Sequence, residues 1–124
     1  MLLASSSLRV FAYRGPTDMR KSFAGLVGLV ELALGQQVES GHLFLFFNRR
    51  RDRVKVLYFV GDGLVIFYKR LERGTFEAPA ALGSEQDPSS GVELRLSDLT
   101  LILEGIELSS VKRRRRWRRE SQAV

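Results

Sequence analysis

Three β-rich runs follow one another closely in the middle of the chain, His42–Asn48, Arg53–Val60 and Leu64–Lys69, and the links between them suit only neighbouring antiparallel strands. The first link, Arg49-Arg50-Arg51-Asp52, is a charged loop of hairpin length. The second, Gly61-Asp62-Gly63, contains the Asp-Gly pair favoured where backbone φ must be positive. The segment therefore reads as an antiparallel meander. In its middle strand Val54, Val56, Tyr58 and Val60 share one face while Leu57 and Phe59 occupy the other, so both faces need cover. A packed helix accounts for the first set; a partner or the terminal segments must account for the second.

The flanks supply candidates. Leu8–Tyr13 is a short β-leaning run closed by Arg14-Gly15-Pro16. Thr17 stands where an N-cap belongs, and Phe23, Leu26, Val27, Val30 and Leu34 recur at helical spacing before Gly35, which predicts a helix over 17–34. Gly25 and Gly28 lower its propensity by roughly 1 kcal/mol each relative to Ala, so the helix depends on packing. Residues 77–91 have no periodicity and read as a loop. Val92–Leu96 alternates as a strand, and Ser97 caps a short helix through Leu99, Ile102 and Leu103 with Gly105 at its stop. The expected fold is α+β: one domain over 1–111, an antiparallel β-meander with one packed helix and a short C-terminal helix, followed by a flexible basic tail over 112–124.

Composition narrows the chemistry. With 124 residues the chain buries about two-thirds of its unfolded surface and needs no staple. Cysteine is absent and His42 is the single imidazole, which excludes disulfides and thiolate sites and argues against zinc; no metal or cofactor is expected. No apolar run reaches the length of a membrane span, and Met1–Ser7 lacks the layout of a secretory signal, so a cytoplasmic protein is expected, without membrane contact.

Charge is segregated. Residues 1–73 carry 12 basic and 6 acidic side chains, 74–111 carry 1 and 7, and 112–124 carry 7 and 1. Meander geometry sets the Arg49–Arg53 loop and the exit at Lys69–Arg73 at one end of the sheet. Arg49, Arg50, Arg51, Arg53, Lys55, Lys69, Arg70 and Arg73 then form a basic patch suited to nucleic-acid phosphates, which Arg20 and Lys21 extend. A solvated hairpin tip with edge lysines is the bland reading of the same residues. The tail, Lys112, Arg113, Arg114, Arg115, Arg116, Trp117, Arg118 and Arg119, adds salt-sensitive affinity for a polyanion, with Trp117 able to stack on an unpaired base. Asp18, Asp52 and Glu72 are the carboxylates a two-metal nuclease would need, but a helix start, a turn and a basic cluster are ordinary settings for them.

Several motifs together resemble a known family: Thr17-Asp18-Met19-Arg20-Lys21-Ser22-Phe23, Ser40-Gly41-His42-Leu43-Phe44, Asn48-Arg49-Arg50-Arg51-Asp52-Arg53-Val54-Lys55 and Phe67-Tyr68-Lys69-Arg70-Leu71-Glu72-Arg73-Gly74-Thr75-Phe76. The chain is similar over residues 9–107 to the TnpB accessory proteins of bacterial insertion sequences of the sixty-six group, which are distinct from the RNA-guided nuclease sharing the name. It departs from the family pattern at Val60 and Glu107, where Asp is usual; the first departure weakens a metal site at that turn. The resemblance implies a non-catalytic helper in DNA transposition, alongside a separate transposase and a second accessory protein of the same element. The rival expectation is an adaptor that docks on the transposase or self-associates, using the acidic 85–107 segment and an uncovered sheet face.

Overall fold

A computed structural model describes residues 8–77, 82 and 87–104. Gly105, the tail over 112–124 and most of the 77–86 loop lie outside the described residues. In chain order the elements are β1 (Val10–Tyr13), α1 (Phe23–Leu32), a 3₁₀ turn (Val38–Ser40), β2 (Leu43–Phe47), β3 (Arg53–Val60), β4 (Gly63–Arg70), β5 (Gly91–Leu94) and α2 (Leu96–Glu104). The five strands form one sheet in the order β4-β3-β2-β1-β5. Strands β2, β3 and β4 are the expected meander, with Phe44 opposite Leu57 and Val56 opposite Phe67. Its second turn is left-handed at Gly61 (φ +63°) rather than in the Asp-Gly pair, and Gly63 already belongs to β4.

The sheet is not wholly antiparallel. Strand β1 lies parallel to β2, Phe11 opposite Phe44, because α1 carries the chain back across one face between them. Strand β5 then closes the other side of β1, antiparallel. This mixed topology brings the ends of β1, β2 and β4 and the starts of β3 and β5 to one edge of the molecule.

Both faces are covered by the chain itself, in the opposite sense to the sequence expectation. Helix α1 lies on the Leu57 face, where Leu26, Val30, Phe11, Phe44 and Phe46 are buried together. The C-terminal segment covers the Val54 and Val56 face, packing Leu99, Ile102, Phe76 and Leu82 against Val10, Leu45 and Phe47. Each fully buried Phe or Leu in these layers contributes about 1.5–3 kcal/mol.

Helix α1 begins at Phe23, six residues later than expected, and Ser22 makes no side-chain cap. The reason is local. The Asp18 carboxylate accepts the Arg20 N–H at 2.9 Å and the Lys21 N–H donates to the Asp18 carbonyl at 3.0 Å, closing a separate turn. A helix from Thr17 would need the carbonyls of Met19 and Lys21 for its own amides, yet both accept from the Lys55 ammonium. At the far end Gly35 turns left-handed (φ +63°), close to where the sequence placed the stop. Helix α2 starts at Leu96, slightly earlier than a Ser97 cap allows, because the Asp98 carboxylate accepts the Arg95 N–H at 3.2 Å while the Asp98 N–H donates back to the Arg95 carbonyl.

Candidate nucleic-acid interface

The two basic segments of the meander are fastened together by backbone hydrogen bonds. Leu71 N–H donates to the Asp52 carbonyl at 2.8 Å and Phe76 N–H to the Arg51 carbonyl at 2.7 Å, while Arg53 stands directly opposite Arg70 across the β3–β4 ladder. Two like charges facing each other in an antiparallel pair repel unless an anion lies between or above them. Glu72, 3.7 Å from Arg70, relieves this in part. Arg49, Arg50, Arg70 and Arg73 are exposed and Arg53 is half-buried.

The hairpin that presents Arg49 and Arg50 is held by side chains at its base. Asn48 donates from Nδ2 to Asp52 Oδ1 at 2.7 Å and accepts the Arg53 N–H at 3.0 Å, and the Asn48 hydrogen bond holds the Asp52 carboxyl below its ordinary range. Arg51 adopts φ +59°, a conformation that favours glycine and costs about 1–3 kcal/mol for other residues. The twist turns its guanidinium inward, 5.3 Å from the centre of the Phe47 ring, and burial pushes the Arg51 pKa down.

Two lysines assigned to the patch from sequence do other work. Lys55 is 8 % exposed, and its ammonium donates to the Met19 carbonyl at 2.8 Å and the Lys21 carbonyl at 2.7 Å while lying 4.7 Å from the centre of the Tyr68 ring. It fixes the turn before α1 and is not open to phosphate. Lys69 donates to the Leu103 carbonyl in the last turn of α2, where a cation complements the helix dipole. Arg20 is exposed but chelated by the Asp18 carboxylate, which its guanidinium holds at a pKa of about 2. Lys21 is exposed beside it.

Sequence reasoning missed Arg14. With Gly15, Pro16, Phe47, Asn48, Arg49 and Arg51 it lines a cavity of about 150 Å³ beyond the carboxyl ends of β1 and β2. The parallel pairing of those strands creates the juxtaposition, and a strand–helix–strand reading of residues 8–48 was the signal that pointed to it.

The nuclease alternative finds no support in these placements. Asp18 is tied to Arg20, Asp52 to Asn48 and Glu72 to Arg70, and among the described residues no three His, Asp or Glu side chains group as metal ligands would.

Comparison with known proteins supplies the identification, because the model of the IS66 Orf2-like proteins matches residues 8–113, almost the whole chain. The chain belongs to the IS66 Orf2-like family. It is similar to two Sinorhizobium fredii proteins, both named as uncharacterized: y4jC, 30% identical over 92% of each chain, and y4hO, 34% identical over 86% of this chain and 88% of that one. No solved structure matches it. Membership of the IS66 Orf2-like family points to an accessory role in transposition, in association with the machinery of the element. In this member of the family Asp18 and Lys21 shape the turn that Lys55 locks, and Asn48 sets the hairpin. Among its described residues no helix is long and apolar enough to cross a membrane.

Proposed function

We propose that this IS66 Orf2-like protein is a non-catalytic, cytoplasmic accessory factor that contacts nucleic acid, DNA first of all, through the basic end of its sheet. The observation that carries the reading is the fastening of the Arg49–Arg53 hairpin to the segment after β4, with Arg53 and Arg70 face to face. Charges held this close are stabilised by a polyanion, and phosphate contacts of this kind position a protein without reading sequence. Arg49, Arg50, Arg53, Arg70 and Arg73 are the contact set, with Lys21 at its margin. The seven cations of residues 112–119 add non-specific affinity. The transposase and the second accessory protein of the element are the expected protein partners.

The test is fluorescence anisotropy with a labelled duplex between 50 and 300 mM salt. Steep weakening with salt, and a loss of at least tenfold in affinity for Arg49→Gln/Arg50→Gln at the lowest salt, are expected. Unchanged affinity in that variant, with loss only on deleting 112–124, would leave the tail as the sole contact and defeat the sheet-end assignment.

One observation favours a second reading, self-association. Both sheet faces are largely covered, which removes the open face the adaptor reading relied on, but β4 is an edge strand and exposes Val65 (37 %) and Phe67 (42 %) on one side. Strand addition by a second copy at β4 would double the mass measured by light scattering; a single-chain mass at 100 µM would count against it.

A further inference from the structure

The cavity beyond β1 and β2 has features that a general basic patch does not require. Among the described residues its charged lining is cationic, Arg14, Arg49 and Arg51. Arg51 reaches it from a left-handed backbone position that a glycine would occupy without strain, and its Nη1 is buried with no hydrogen-bond partner in the protein. Among the described residues neither Arg49 nor Arg51 belongs to an ion pair. The Thr17 hydroxyl, one residue past the lining, is also buried without a partner. A buried guanidinium N–H left unsatisfied is costly, and a bound anion would satisfy it. Asn48 is committed to Asp52 and Arg53, so the Arg49 and Arg51 guanidinium groups are what this part of the cavity offers to a ligand.

Several arginines lining one cavity match an oxyanion with several acceptor oxygens better than a single carboxylate, which one fork satisfies. The site lies outside the carboxyl ends of parallel strands, where α/β sheets place ligands. About 150 Å³ is room for a phosphate group. We propose that this cavity binds a single phosphate group of a nucleic-acid strand, with Arg51 and Arg14 holding it from within and Arg49 from the rim. The proposal rests on the nucleic-acid reading above and names the seat of one phosphate within it.

Isothermal titration and amide NMR of the full chain with inorganic phosphate provide the test, with acetate at matched ionic strength as control. Saturable shifts at Gly15 and Asn48–Arg51 with phosphate but not acetate are expected, together with at least tenfold weaker binding in Arg51→Gly, whose backbone suits φ +59°, and in Arg14→Gln. Far-UV circular dichroism confirms that both variants fold; if one does not, the other decides. The dinucleotides pTpT and TpT separate the sources of the group. Tighter binding of pTpT supports a terminal monoester, equal binding of both supports a backbone diester, and in either case Arg51→Gly must weaken it. Absence of a saturable phosphate shift, or equal shifts in wild type and both folded variants, would overturn the site while leaving duplex binding by the sheet end to stand on its own test. Phosphate binding without duplex binding would instead overturn the nucleic-acid source of the group.

Discussion

Replacing Lys55 by Met removes one ammonium from the interior while keeping most of the side-chain length and its apolar stem. Two charge-assisted hydrogen bonds, to the Met19 and Lys21 carbonyls, disappear, and such bonds to charged groups contribute about 1.5–3 kcal/mol each. The contact with the Tyr68 ring adds about 0.5–2 kcal/mol. Against these losses stands the relief of no longer burying a charge, so the net destabilisation is about 2–4 kcal/mol, a large fraction of the roughly 5–15 kcal/mol available to a domain. Urea unfolding should show the midpoint falling by about 1–2 M at unchanged slope. Hydrogen exchange should quicken first at the Lys21 amide, whose turn loses its anchor. The double variant with Tyr68→Leu should be less destabilised than the sum of the single changes. A loss below about 0.5 kcal/mol, or a Lys21 amide as protected as before, would refute the view that Lys55 locks this turn.

Three further outcomes follow from individual contacts. Lys69→Met should raise exchange rates in the last turn of α2 while leaving duplex affinity within twofold, because its ammonium serves the Leu103 carbonyl; a tenfold affinity loss in a folded variant would return Lys69 to the phosphate set. Gly91→Ala should destabilise by about 1–3 kcal/mol in urea titrations, since a Cβ there would come within 2.0 Å of Leu34 Cδ2 and 3.3 Å of the Ala12 carbonyl oxygen; neutrality would mean that Leu34 moves freely. The Asp18 carboxyl, lowered from 3.8 to about 2 first by the Arg20 side-chain hydrogen bond, stabilises the fold above its unfolded pKa, and that contribution fades as pH falls from about 4 through 2. Arg20→Gln should raise the Asp18 pKa toward 3.8 in a carboxyl NMR titration, and an unmoved value would contradict the pairing.

The meander was legible because turn chemistry marks both of its ends: Arg49–Asp52 and Gly61–Gly63 bracket β3 almost to the residue. Burial on both sides of β3 was legible too, from the alternation of Val54 and Val56 with Leu57. Which layer covers which face was not, since periodicity in a strand carries no record of its distant neighbours. The parallel union of β1 with β2, and with it the place of Arg14 beside Arg51, was signalled only by the strand–helix–strand order of residues 8–48, since the residues of neither strand record their partner. Lys55 and Lys69 read in sequence as surface cations, because nothing local distinguishes an ammonium facing water from one facing carbonyls 34 to 36 residues away. The late start of α1 belongs to the same blind spot: Thr17-Asp18 has the composition of a helix cap, but the carbonyls that a longer helix needs are taken by Lys55. The convergence of the Arg49–Arg53 and Lys69–Arg73 segments, by contrast, follows from strand count and direction alone, and the register of Arg53 against Arg70 bears it out.

The most direct measurement of the central claim is the slope of log affinity against log salt for duplex DNA, compared between the full chain and its Arg49→Gln/Arg50→Gln/Arg53→Gln variant. Each phosphate contact contributes about 0.9 to that slope, so three lost contacts should flatten it by about 2.7. A slope unchanged by the triple substitution in a folded protein would contradict the account, whatever the affinity that remains.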